Sequence, residues 1–527
     1  MKVFGVIGAC VMLLQPSVIC RNLKVVPIED KDFWYQEGKN RIRNQLTKKL
    51  SVNRAKNVIV FVGDGMGLTT ITASRIYKGQ INGELGEENY HSFELFPGVG
   101  LIKTYNTDAQ VPDSAGTATA MFSGIKTKSG TFGIDATLPT GECDPAVFEA
   151  AKVDSILKWA QDAGKRTGLV TTTRITHATP AAAYAHVSDR DWECDSEIPS
   201  QYRDCMKDIA KQLVEDSPGK DINVIFGGGQ QQLGFGNGDG SCQREDGLNL
   251  TAIWEENRKA EGVSHRFVTT KGQMDELSTE EKVLGLFDFG HMAYELEREN
   301  TEQPSIVNMT VKAIQMLQKA ENGFVLIVEG GRIDHAHHDN YAKLALTEAI
   351  MFDEAIAAAV AMTSRENTLI VVTADHSHSL TFNGYPDRGN DILGFAHNES
   401  DKKPVYETLT YANGPGFNVH RKEGALGAGD YLWKDPTLME DRDELYYRHF
   451  APIFEKSETH GGEDVAIYAI GPFSHLFNGV FEQSYVAHAV SCIGNFGPSK
   501  DLCNSSISVK AVSVLVLIMA YISSRLV

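Results

Sequence analysis

Ser114 lies in Pro112-Asp-Ser-Ala-Gly-Thr-Ala-Thr-Ala120, with an acid before it and small, helix-forming residues after it. A helix starting there turns its free N–H groups and positive dipole end toward whatever is bonded to Ser114. Gly116 and the alanines let an anion or a metal ion approach the backbone closely. The plain alternative for an isolated Asp-Ser-Ala is a serine N-cap on a buried helix. Other polar clusters compete with that alternative. Asp64 sits in the glycine turn Gly63-Asp-Gly-Met-Gly67. Asp334 and His338 are spaced i, i+4, so a helix puts carboxylate and imidazole on one face, able to share one ion. Asp375 and His376 are adjacent and can chelate a second ion from a turn, and His460 has glycines on one side. A hydroxyl that needs an activator, beside three groups of carboxylates and imidazoles, is the pattern of a metal-assisted nucleophile.

Something must bring these clusters together, and the chain supplies it by repetition. Apolar, β-branched runs at Asn57–Val62, Thr167–Thr171, Ile222–Phe226, Phe324–Val328, Thr368–Thr373 and Ala466–Ile470 read as buried strands. Helical patterns at Leu68–Lys78, Val153–Ala163, Val307–Lys319 and Leu344–Met362 alternate with them. Several of these strands end in a metal-ligand residue type, the place where open α/β sheets hold their sites. The expected fold class is α/β, a central, mostly parallel sheet with helices on both faces. Between about 384 and 459 the pattern breaks into Gly, Pro, Asn, Tyr and charge, which reads as an inserted surface lobe.

The chain has 527 residues and a formal net charge of -19, which argues against a nucleic-acid partner but not against a small phosphate ester. Residues 1–20 read as a secretory signal, with one lysine, an apolar run and a small-residue exit. Removing it leaves Cys143, Cys194, Cys205, Cys242, Cys492 and Cys503, an even set that suggests three disulfides in an exported protein without fixing their pairing. Sequons at Asn249, Asn308, Asn398 and Asn504 agree with export, as expected of a glycoprotein. Residues 504–527, small residues followed by an apolar run from Ala511 to Ile522, read as a glycolipid-anchor signal whose tail is removed.

Gly63-Asp-Gly-Met-Gly67, Asp113-Ser-Ala-Gly-Thr-Ala-Thr119, His177-Ala-Thr179, Glu329-Gly-Gly-Arg-Ile-Asp-His-Ala-His-His338, Thr373-Ala-Asp-His-Ser-His378 and Thr459-His-Gly-Gly-Glu-Asp464 occur in this order. In these motifs the chain resembles metazoan alkaline phosphatases of the membrane-anchored type, from about Val25 to Cys503. The resemblance implies a single such domain over 21–503. It implies hydrolysis of small phosphate monoesters at alkaline pH through a phosphoserine on Ser114. It implies two zinc ions and one magnesium per chain: Asp334, His338 and His460 on one zinc; Asp64, Asp375, His376 and the Ser114 oxygen on the other; Asp64, Thr179 and Glu329 on magnesium. By the same likeness His177 stands beside the magnesium, His378 supports the first zinc group, Arg190 binds the substrate phosphate and Asp113 holds Arg190.

The resemblance also implies a homodimer on the extracellular face of the cell membrane, anchored by glycolipid near Asn504. Cys143–Cys205 and Cys492–Cys503 match disulfides of mammalian relatives, and the remaining Cys194 and Cys242 are expected to pair with each other; the alternative is two free, buried thiols. Mammalian members hold a calcium ion at a segment matching Phe287 and Asp288, but here Asp replaces Glu and a later acidic ligand aligns with Gln303. Calcium is therefore an open expectation. Two rival readings are a two-metal phosphodiesterase or sulfatase of the same superfamily, and a catalytically silent anchored surface protein. The serine motif does not match the sulfatase pattern, and the sequence keeps every expected ligand.

Overall fold

The computed structural model describes residues 29–47, 50–236, 242–396, 405–422, 424 and 432–504. The expected signal at 1–20, the apolar tail and the Asn398 sequon lie outside the described residues. Uninterrupted apolar runs form the central strands, buried on both faces, and ten strands in all make one sheet. They are β1 (Asn57–Gly63), β2 (Gly98–Lys103), β3 (Arg166–Arg174), β4 (Val224–Gly228), β5 (His265–Val268), β6 (Lys282–Leu286), β7 (Phe324–Gly330), β8 (Thr368–Ala374), β9 (Val465–Ile470) and β10 (Gly479–Glu482). The order across the sheet is β10-β2-β9-β8-β1-β7-β3-β4-β6-β5. Every strand but β9 runs the same way; β9 is antiparallel to β8 on one side and to β2 on the other.

The helices Leu68–Ile81, Ile306–Leu317 and Ala342–Met362 pack over one face. Ser114–Ser123, Ile156–Asp162 and Tyr485–Gly494 pack over the other. The sheet is thus mostly parallel and covered on both sides, as the sequence pattern implies. The described part of the 384–459 stretch departs from this layering: Leu409–Tyr411 pairs with Leu380–Phe382 in a separate two-stranded ribbon, and Gly416–His420 is a short helix. Among the described residues no helix is long and apolar enough to cross a membrane.

The central strand order positions the site. β8, β1, β7 and β3 are neighbours and parallel, so their carboxyl ends form one edge. Asp375 follows β8 directly, Asp64 follows β1 directly, Glu329 is the penultimate residue of β7, and Thr171 pairs with Glu329 from β3. The reversed β9 brings its amino end to the same edge. His460, five residues before it, pairs with His378 in a short antiparallel ribbon. One reversed strand therefore delivers the last imidazole.

Candidate metal and nucleophile centre

Asp113, not Ser114, is the N-cap of the Ser114–Ser123 helix, and its side chain accepts from the backbone N–H groups of Ala115 and Gly116. The N-cap alternative for the serine is thereby removed: its hydroxyl at the first helical position stays available. Every residue of this helix is buried, and Gly124 closes it in the left-handed conformation with φ of 77°. Asp113 does more than cap. Its Oδ2 also accepts from Gly130 N–H at 3.0 Å and from the Arg190 guanidinium at 3.2 Å, and its Oδ1 accepts from Asn106 at 2.9 Å. Burial opposes the Arg190 charge, but Asp113, Asp64 and Asp334 outweigh it and hold the guanidinium above its ordinary pKa. A fixed, permanently charged fork thus stands near a buried hydroxyl, suited to two oxygens of a phosphate.

Around Ser114 the imidazoles converge with their lone pairs inward. His376 lies with Nε2 3.1 Å from Ser114 Oγ, 3.1 Å from Asp375 Oδ2 and 3.6 Å from Asp64 Oδ1, while its Nδ1 faces the Ser377 carbonyl. His338 directs Nδ1 to the Glu458 carbonyl, and His460 directs Nδ1 to the Pro112 carbonyl at 2.8 Å. A carbonyl can only accept, so in the neutral rings the proton sits on Nδ1 and Nε2 carries a lone pair. Yet the Nε2 atoms of His338 and His460 are 3.2 Å apart, and Asp334 oxygens lie 3.3 Å from the first and 3.5 Å from the second. Acceptors face acceptors. Such a set is stable when a cation sits among its members, and imidazole with carboxylate suits zinc.

A third acceptor group lies behind Asp64. Ligand atoms of Asp64, Glu329 and His177 fall within 4.8 Å of one another. Asp64 Oδ2, Glu329 Oε1, Thr179 Oγ1 and His177 Nδ1 are all buried without a hydrogen-bond partner, although buried polar atoms are nearly always paired. The other Glu329 oxygen is occupied by the hydroxyls of Thr171 and Thr173. Burial, then the charges of Asp375, Asp334 and Glu329, pushes Asp64 well above the usual carboxylate range. Burial lifts Glu329 to about 7 and raises Asp375. Burial and the neighbouring His460 push His376 far below the usual imidazole value. Carboxylates that ionise reluctantly alone are strong partners for a divalent ion, which supplies the missing positive charge.

Gly65 makes the close packing feasible. It has φ of +67°, its N–H donates to Asp375 Oδ1 at 2.9 Å, and a Cβ there would fall 2.4 Å from the His378 ring.

His378 is held differently from the inward-facing rings. Its Nε2 meets Asp334 Oδ1 at 2.7 Å and its Nδ1 meets Glu458 Oε2 at 2.5 Å. Burial disfavours its charge, but the two carboxylates outweigh that and raise its pKa to about 10. Both ring nitrogens are thus engaged by carboxylates, which places His378 to brace Asp334. Glu458 was not singled out from the sequence. It braces His378 with its carboxylate and His338 with its carbonyl, and its only signal was a carboxylate two residues before His460. His337 is a second omission: Thr70 and Tyr411 hydrogen-bond its two ring nitrogens at 3.0 and 2.8 Å, fixing the helix that carries Asp334 and His338.

The other expected residues lie elsewhere. Phe287 and Asp288 follow β6 and hydrogen-bond to Gln303. Disulfides join Cys143 to Cys205, Cys194 to Cys242 and Cys492 to Cys503, so the pairing expected for Cys194 and Cys242 is present and the free-thiol alternative is not. Asn504 is exposed and is the last described residue.

A family model described as alkaline phosphatase matches residues 55–496. Alkaline phosphatase 4 of Drosophila melanogaster is 45% identical over 504 residues, covering 90% of this chain and 84% of that protein. A membrane-bound alkaline phosphatase of Bombyx mori is 38% identical over 503 residues, covering 93% of this chain and 90% of that protein. Among solved structures, alkaline phosphatase from the Antarctic bacterium TAB5 is 24% identical with a TM-score of 0.58, covering 85% of this chain and 100% of that one. That likeness bears on the fold.

Proposed function

The chain belongs to the alkaline phosphatase family and is a phosphoric monoester hydrolase, and from that premise we propose that Ser114 is the group that takes the phosphoryl from substrate. The observation that carries this is the convergence on Ser114 Oγ of His376 Nε2 at 3.1 Å and Asp64 at 3.5 Å, at a helix start beside Arg190. The enzyme is metal-dependent with a multi-metal site, and we assign the ions by donor chemistry. Asp334, His338 and His460 would hold one zinc, Asp64, Asp375 and His376 a second, and Asp64, Thr179 and Glu329 a magnesium with His177 beside it. Bound there, the ions lower the pKa of an oxygen nucleophile and stabilise charge on the entering and leaving oxygens.

The chain's own residues do the remainder. Arg190 receives two phosphoryl oxygens as a fork and Asp113 keeps that fork in place. The N–H groups at the start of the Ser114 helix and its dipole favour the anion there. The lone pair of His376 Nε2 faces the Ser114 hydroxyl from the side opposite its Nδ1 anchor. Water then replaces the alcohol and releases phosphate from Ser114. Both steps call for deprotonated oxygens, which agrees with an alkaline optimum. Arg190, with a cation that the third acceptor group would hold beside it, favours the more highly charged monoester over a diester, so aryl monoester turnover should exceed diester turnover.

The chain is further read as an exported homodimeric glycoprotein on the outer face of the cell membrane, tethered by glycolipid near Asn504. The C-terminal sequence pattern supports the tether, and the Bombyx mori relative is a membrane-bound alkaline phosphatase. Metal analysis tests the ion assignment: two zinc and one magnesium per active chain are expected, with zinc lost in His460→Ala and in Asp375→Ala. Unchanged zinc in both variants would refute it.

A further inference from the structure

The loop leaving β6 carries Phe287 and Asp288, the residues that the family resemblance marks for calcium. Calcium is bound by six to eight oxygens, each of which must turn a lone pair toward the ion. In this loop the corresponding oxygens already face N–H groups. Gln303 donates from Nε2 to the Phe287 carbonyl at 3.2 Å and to Asp288 Oδ2 at 2.8 Å. Its Oε1 accepts from the backbone N–H of Ala293 at 2.9 Å. A backbone N–H can only donate, so this contact fixes which end of the amide is which.

The remaining Asp288 oxygens are engaged as well. Oδ1 accepts from Gly290 N–H at 3.2 Å, and the carbonyl accepts from the N–H groups of Gly229 and Gln230, each at 3.1 Å. Gln303 is itself held in place. It is 8% exposed, and the Arg298 guanidinium donates to its carbonyl at 2.8 Å.

We propose that the Gln303 amide takes the place of a calcium ion in this chain, its N–H group engaging Phe287 and Asp288 where the resemblance to mammalian members implies a cation. Among the described residues, the side chain aimed at both oxygens presents hydrogens, and a cation would be repelled by them. The consequence reaches the active site. The same loop continues to His291, whose ring lies 4.2 Å from that of His335 and 5.3 Å from that of His177. In this chain a hydrogen-bonded clamp, not an additional ion, secures that wall.

The test uses the full purified enzyme with free zinc and magnesium held constant. Elemental analysis after desalting should find no stoichiometric calcium, and the melting temperature should be the same with and without added calcium. One calcium per chain, or a melting temperature that rises with calcium, would overturn the proposal. Gln303→Glu supplies a second arm, because it sets a carboxylate against that of Asp288. Without calcium this variant should melt below the parent; equal stability would show that the amide N–H is not what the loop needs.

Discussion

Asp113→Asn changes no volume, yet the geometry forbids it from being silent. Oδ1 of Asp113 accepts from Asn106 and Gly116, and Oδ2 accepts from Ala115, Gly130 and Arg190. Asparagine offers one accepting oxygen and one donating nitrogen. Whichever way its amide turns, the NH2 group meets a set of N–H donors. If it turns toward Arg190, the guanidinium loses its charged partner; if it turns toward the helix, the N-cap is weakened, which costs about 0.5–2 kcal/mol.

A charge-assisted hydrogen bond is worth about 1.5–3 kcal/mol. The side chains of Arg190 and Asp113 are 24% and 20% exposed, so screening favours the lower end. About 1.5 kcal/mol corresponds to roughly 10-fold in an equilibrium constant. The expected result is an inhibition constant for inorganic phosphate raised about 10-fold, measured against turnover of an aryl phosphate, with a lower melting temperature. A variant with unchanged phosphate affinity and unchanged melting would refute the assignment of Asp113 as the holder of Arg190.

Glu458→Gln should weaken metal binding at the Asp334, His338 and His460 group by about 10–100-fold, the usual effect of losing an outer hydrogen-bond partner; competition with a chelator measures it, and unaltered affinity would contradict the role given to Glu458. Asp353 tests acid stability away from the metals. Burial opposes its charge, but His91, Lys78 and Ser92 outweigh this and hold its pKa at about 2. A carboxylate depressed in the folded state stabilises fully above its unfolded pKa and ceases to as pH falls through its folded one. The unfolding free-energy gap between the parent and Asp353→Asn should therefore be largest above about pH 5, roughly 2 kcal/mol from this group, and shrink toward pH 2. A gap that stays constant over that range would count against it.

The residues that do the chemistry were legible because their types are rare together and their spacing is local. Asp334 and His338 share a helix face, and Asp375 and His376 share a turn. The buried strands β1, β7 and β8 were legible for a similar reason, since each is an unbroken apolar run. β2 was not: Gly98-Val-Gly-Leu-Ile-Lys103 alternates buried with exposed positions and has glycine where a branched residue would signal a strand. β5 and β10 are short, half-exposed edge strands with little apolar pattern. The reversal of β9 has no local mark, because strand direction is set by pairing with β8 and β2, far away in sequence. Glu458 and His337 were missed on the same ground. Their importance comes from His378, Tyr411 and Thr70, partners brought close only by the fold.

Ser114 as the phosphoryl acceptor is the central claim, and acid quenching during turnover tests it most directly. Enzyme mixed with labelled phosphate or a labelled monoester, quenched in acid and digested, should yield one phosphopeptide with the phosphate on Ser114. Ser114→Ala should yield none. A phosphopeptide mapping to any other residue, or one that persists in Ser114→Ala, would contradict the account.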